Sequence, residues 1–182
     1  MASDIRTSLG VVEAAPQSGP GIGQQIVVFA EVLLLGLWLG SMIFFSFAVA
    51  PSAFAVLPTR ELAGVMVTST IGKVELLGLI IGTVLILLQA ARRSVGHSTI
   101  KMVQSALTAL MIGCAALSRF WISPTMVSLR AEMRGHIDDV PATDPMRVQF
   151  NDLHQYSVGL MVAALLAGFV VLFITVRSCL KR

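Results

Sequence analysis

Four long apolar runs alternate with polar connections along this chain, at residues 26–50, 71–91, 100–122 and 156–176. An α-helix needs about 20 residues to cross roughly 30 Å of hydrocarbon, and each run meets that length. Each ends on a residue that favours a stop. Pro51 closes the first, Arg92 and Arg93 the second, Ser123-Pro124 the third and Arg177 the fourth. The pattern predicts an all-α integral membrane protein, a four-helix transmembrane bundle.

The connections predict further short helices at the membrane interface. In the first, "RELAGVMV" has the makings of one. After the third run, Ser123 reads as an N-cap, Pro124 as the first helical residue and Gly135 as a stop. Met126, Leu129 and Met133 repeat at i, i+3 and i+7 between them, the spacing of an amphipathic helix lying on a membrane surface. The linker "HIDDVPATDP" comes next, and Asp144-Pro145 reads as a second N-cap pair that starts the fourth helix below its apolar run. The domain plan is a polar tail over residues 1–24, a four-span domain over 25–178 and a basic tail over 179–182. The N-terminal tail carries "PQSGPGIGQQ", a disordered composition. The first apolar run is too long for the apolar region of a signal peptide.

Composition agrees with lipid as the outer solvent. Hydrophobic residues make up 55% of the 182 positions and charged residues 13%, against about 25% charged in soluble domains. The formal net charge of +3 is too small to point to nucleic acid. The partners expected are the bilayer and, beyond it, a membrane-protein partner or a second copy of the chain. Both termini are expected in the cytoplasm, because Arg92, Arg93, Lys101, Arg177, Lys181 and Arg182 crowd the span ends on that side. Each run also carries small residues four apart: Gly36 and Gly40, Gly78 and Gly82, Ser105, Ala109 and Gly113, Ala164 and Gly168. Small residues let helix backbones approach closely in lipid, so these positions are read as helix contacts.

Two groups of residues could carry chemistry. Glu31 lies about 9 Å inside the first span at 1.5 Å per residue. It is either a proton or cation site, or a carboxylate paired with Lys101, Arg93 or Arg177. At the opposite end, Lys73 and Glu75 open the second span, Arg119 closes the third, and Asn151 and His154 precede the fourth. These five form either a polar rim of snorkelling charges or the mouth of a pocket. His154 is also a candidate ligand for heme or, with Met126 and Met133, for copper. His97 and His136 fall in loops, so heme lacks a second ligand within a span. No cofactor or metal is therefore assigned. Cys114 and Cys179 lie at different depths and are poor disulfide partners. Nucleotide-binding, serine-hydrolase and zinc-protease motifs are absent, and nothing argues for catalysis.

Three stretches resemble a known family, that of domain-of-unknown-function 4149, which is similar to the eukaryotic transmembrane protein 205. They are "WLGSMIFFSFAVAPSAFAVLP" from Trp38 through Pro51 to Pro58, the Pro124-led "ISPTMVSLRAEMRG", and "FNDLHQYS". In the last, Phe150, His154 and Ser157 match the family's F-x-x-x-H-x-x-S pattern. Met161 stands where the family often has Asn, and Lys73 and Glu75 where aromatic residues are common. The resemblance implies a small four-span membrane protein with no established enzyme activity. The eukaryotic member's association with tolerance to platinum drugs implies handling of a metal or small solute, and a distant likeness to copper-resistance membrane proteins concerns fold alone. The function expected is handling of, or tolerance to, a small solute or cation. The alternatives are a non-catalytic accessory subunit and a heme- or metal-binding oxidoreductase.

Overall fold

The computed structural model describes residues 21–91, 98–133 and 137–180. Among them there is no strand. Six α-helices run in the order α1 (Ile22–Phe44), α2 (Ala50–Val56), α3 (Arg60–Ala91), α4 (Ser98–Leu117), α5 (Ser123–Glu132) and α6 (Pro145–Leu180). A five-residue π-turn, Phe45–Val49, joins α1 to α2, and another, Ser118–Ile122, joins α4 to α5. The chain thus forms four continuous helical rods, Ile22–Val56, Arg60–Ala91, Thr99–Glu132 and Pro145–Ser178, each long and apolar enough to cross a membrane.

Neither Pro51 nor Pro124 ends its helix, contrary to the expectation from sequence. Proline in a helix interior lacks the N–H and drives its ring into the carbonyl four residues back. Here the residue before each proline bonds five residues back instead, Ala50 N–H to the Phe45 carbonyl and Ser123 N–H to the Ser118 carbonyl. The wider turn makes room for the ring. The segment after Ser123 therefore continues the third rod rather than forming a separate surface helix, and Ser123 is helical (φ −59°, ψ −44°) rather than a cap. "RELAGVMV" is likewise the first part of α3. Asp144 does cap: its carboxylate accepts the Met146 N–H at 2.8 Å, and α6 starts at Pro145 as the spacing predicts. Helix α1 takes in residues 22–24 of the expected tail, and α6 extends through residue 180. His97, His136, Gly135, Arg92 and Arg93 lie outside the described residues.

The rods hold 32–35 residues, or about 50 Å at 1.5 Å per residue, some 20 Å more than the hydrocarbon requires. Set against the apolar runs, nearly all the surplus lies at one end: α2, the first eleven residues of α3, all of α5 and the first eleven of α6. These segments extend past the apolar runs and form a cap, closed by a cluster of Leu129, Met133 and Phe150 with Met126, Ile137, Val140, Met146 and Leu153 around it.

The main core lies inside the membrane and joins all four rods through Leu35, Trp38, Leu39, Met42, Ile81, Leu85, Met111, Cys114, Ala164, Ala167 and Val171. Glycines make two of these seams possible. A Cβ at Gly78 would collide with the Trp38 indole, and one at Gly168 would lie 2.8 Å from Leu39 and 3.1 Å from Trp38. Among the described residues, a Cβ at Gly36, Gly40 or Gly113 would meet nothing within 4 Å, so these three glycines are not the helix contacts that their spacing suggests. The buried stripe of α1 is Glu31, Leu35, Trp38, Leu39 and Met42. Gly36 and Gly40 each come one residue after a stripe position and so point about 100° away from it.

Candidate functional site

A cavity of about 460 Å³ opens in the half of the bundle that carries the cap. Its floor is Trp38, which is 3% exposed and held against Gly78. Met42 and Phe45 rise from the floor on the first rod, Val74 and Glu75 on the second, Cys114, Ala115 and Ser118 on the third, and Met161 and Ala164 on the fourth. Arg60, Arg130, Phe54 and Asn151 stand nearer the cap.

The wall of the third rod depends on its π-turn. Cys114, Ser118, Ser123, Met126 and Arg130 all line the cavity, with steps of four, five, three and four. The step of five spans the π-turn and holds one face to the cavity on both sides of Pro124. Within that turn, the Ser118 hydroxyl donates to Glu75 Oε1 at 2.5 Å and lies 3.4 Å from the Ser157 hydroxyl. Glu75 is 8% exposed, and its other carboxyl oxygen, Oε2, is buried with no hydrogen-bond partner. A buried polar atom left unsatisfied costs about 1–3 kcal/mol, so Glu75, a residue of the cavity lining, carries an acceptor in want of a donor.

The residues singled out in the sequence separate into two groups. Glu75, Asn151, His154, Phe150, Ser157 and Trp38 line the cavity. Phe150, His154 and Ser157 do so on one face of α6, as their i, i+4, i+7 spacing predicts. Lys73 and Arg119 are not on the wall. Lys73 is exposed, since two residues along a helix from Glu75 is nearly its opposite face. Arg119 lies against Gly72, one turn from Glu75, and adds an electrostatic attraction to that carboxyl. Lys73 and Glu75 lie mid-helix rather than at a helix start, because α3 begins at Arg60. Arg130, part of the Pro124-led stretch but not among the residues singled out in it, sits 5.5 Å from the Phe150 ring centre, against Gly64 and within 3.5 Å of the Thr68 hydroxyl. It bridges the second and third rods at the top of the cavity.

Glu31 belongs to a different layer. It is fully buried, and the contact of Leu39 with Gly168 sets it level with Thr175 on the antiparallel fourth rod. Gln104 donates to Thr175 at 2.9 Å, Gln89 to Thr108 at 3.0 Å, and Ser105 to Gln89 at 3.3 Å. Gln104, Thr108 and Thr175 are at most 6% exposed. The sequence hides this polar layer, because each of these partners is a single uncharged residue inside an apolar run. Leu35, Ile81, Leu85, Met111 and Val171, all buried, separate it from the cavity.

Met126 and His154 share the cavity wall, whereas Met133 belongs to the cap cluster. Among the described residues, no three His, Cys, Asp or Glu side chains lie together.

No curated protein and no solved structure matches the chain. A family model does, that of the domain of unknown function DUF4149, over residues 33–135. The match runs from α1 through the cavity-lining parts of the first three rods. It ends before the F-x-x-x-H-x-x-S stretch. It covers more than half of the 182 residues, and the chain is a multi-pass membrane protein of the DUF4149 family.

Proposed function

We propose that the cavity is a binding chamber for a small amphipathic solute carrying an amine or other hydrogen-bond donor. The observation that carries this reading is that Glu75, which lines a roomy cavity, holds a buried Oε2 with no hydrogen-bond partner among the described residues. A donor placed there satisfies the carboxyl, and an ammonium also pairs with its charge. The aromatic and thioether groups of Trp38, Met42, Phe45 and Met161 take up the apolar body and offer ring faces to a cation. The apolar layer beneath Trp38 makes the chamber a dead end, which supports capture of a solute over free permeation through a pore.

The test uses Trp38 as reporter, with the lipid-facing Trp121, 64% exposed, replaced by phenylalanine. Phenethylamine should shift Trp38 emission saturably, and ethylbenzene should bind far more weakly. Glu75→Gln should weaken phenethylamine binding at least about tenfold, the share of a charge-assisted hydrogen bond. Equal affinity for amine and hydrocarbon, unchanged by Glu75→Gln, would remove Glu75 from the site.

We further propose that both termini face the cytoplasm, which places the cap on the opposite side of the membrane. The support is the concentration of Lys and Arg at the terminal ends of the spans. Reporters fused after Arg182 and inserted within residues 138–145 should fall on opposite sides. A cytoplasmic cap reporter would invert this orientation.

A further inference from the structure

The four seams between the rods are not closed alike. The third and fourth rods pack together through α4, the Ser118–Ile122 turn and α5. The first and second pack through both α1 and α2, and Arg130 spans the second and third at the cap. The first and fourth rods meet chiefly through α1. Toward the cap, the Ser46 hydroxyl reaches the Met161 sulfur at 3.7 Å. Beyond that contact α2 packs on α3 and has little contact with α6. Phe54 on one edge of that gap is 51% exposed and Val158 on the other 41%, yet both line the cavity, as do the exposed Asn151 and His154.

The depth of this gap can be read from its neighbours. Tyr156, 67% exposed, lies between His154 and Val158 on α6, and Trp121, 64% exposed, is at the matching level of the third rod. Tyrosine and tryptophan settle at the boundary between headgroups and hydrocarbon, and exposed Lys73 fits the same level. The gap therefore straddles that boundary. The cavity behind it has the same order of polarity as a leaflet: Arg60, Asn151 and His154 above, the Glu75–Ser118–Ser157 group at the boundary, and Trp38, Met42, Met161 and Ala164 below.

We propose that the chamber opens sideways into the leaflet on the cap side, through a portal between Phe54 and Val158, and that its ligands are lipid-soluble amphiphiles drawn from that leaflet. This rests on the chamber reading above. A membrane-dissolved amine already lies with its head at the boundary and its apolar part below. It reaches Glu75 by moving sideways, without turning over and without taking its apolar part through water. His154 and Asn151, at the portal edge, meet the polar head as it passes.

The experiment times the approach. The Trp121→Phe protein is placed in lipid vesicles, and quenching of Trp38 is followed by stopped flow after mixing with 4-bromophenylalkylamines of two to six methylenes. Each methylene raises membrane partitioning about fourfold. At fixed aqueous concentration, access through the leaflet should raise the association rate by about that factor per methylene. Val158→Phe should slow both association and dissociation. A rate that stays flat across the series, with binding intact, would mean a water-filled mouth and would overturn the portal while sparing the chamber. No quenching by any member would overturn both.

Discussion

Replacing Trp38 with alanine should be the most damaging single change in the bundle, lowering stability by roughly 3–5 kcal/mol, the range for deleting a large aromatic core residue. In lipid the helices do not gain by escaping water, so their association depends on close packing, and the loss is one of contacts. Trp38 touches the second rod at Gly78 and the fourth at Gly168. No other single side chain could collapse into both gaps at once. Gly78→Leu attacks the same joint from the opposite side, by forcing a side chain into the indole, and should cost about 1–3 kcal/mol as an overpacking change. Gly40→Leu is the control. A Cβ at Gly40 would meet nothing within 4 Å among the described residues, so a leucine there extends into lipid and should leave the midpoint unchanged. Thermal unfolding in mild detergent measures all three. A large loss for Gly40→Leu would show that this face is buried against another molecule, and a stable Gly78→Leu would remove Trp38 from the joint.

That contrast also shows where sequence patterns lose their force. The apolar runs were legible because bilayer thickness sets the length of a spanning helix, and all four rods contain the runs expected of them. Which face of a rod is buried was much less legible. In water, a polar face marks the outside of a helix. In lipid, both faces are apolar, and Gly36 and Gly40 look the same as Gly78 and Gly82 until a neighbouring rod is in place. The prolines misled for a related reason. Pro51 and Pro124 read as stops because an ordinary α-turn excludes them, but a π-turn of one extra residue tolerates each. Nothing in "SFAVAP" or "FWISP" separates that outcome from a broken helix.

The site was partly legible. Phe150, His154 and Ser157 sit on one helical face in any register, and Glu75 was read as a polar residue opening the second span. Ser118, its hydrogen-bond partner, was overshadowed by Arg119 next to it. Adjacent residues on a helix point about 100° apart, so the serine faces the cavity and the arginine faces Gly72. Only the packing of the third rod on the second could say which of the two faces inward.

Glu75→Met should make the protein more stable and, if the chamber reading holds, abolish amine binding. The side chain is 8% exposed with one carboxyl oxygen unsatisfied, a burden of about 1–3 kcal/mol. A methionine of similar length brings no polar atom in need of a partner and packs well against the Met42 and Met161 side of the cavity. Ser118 keeps the Ser157 hydroxyl as a neighbour. Arg119 is half-buried at the interface and can extend its head toward headgroups. Active and binding sites commonly hold groups that weaken the fold they sit in, and an opposite response of stability and binding is the signature of such a group. Ser118→Ala serves as the comparison: it leaves both Glu75 oxygens without a hydroxyl donor and should destabilise. Thermal midpoints in detergent and Trp38 titrations with phenethylamine give both readouts on the same samples. If Glu75→Met instead lowers the midpoint by as much as Ser118→Ala, the carboxyl is a structural clasp between the second and third rods, held there by Ser118 and Arg119, and the cavity needs no ligand to account for it.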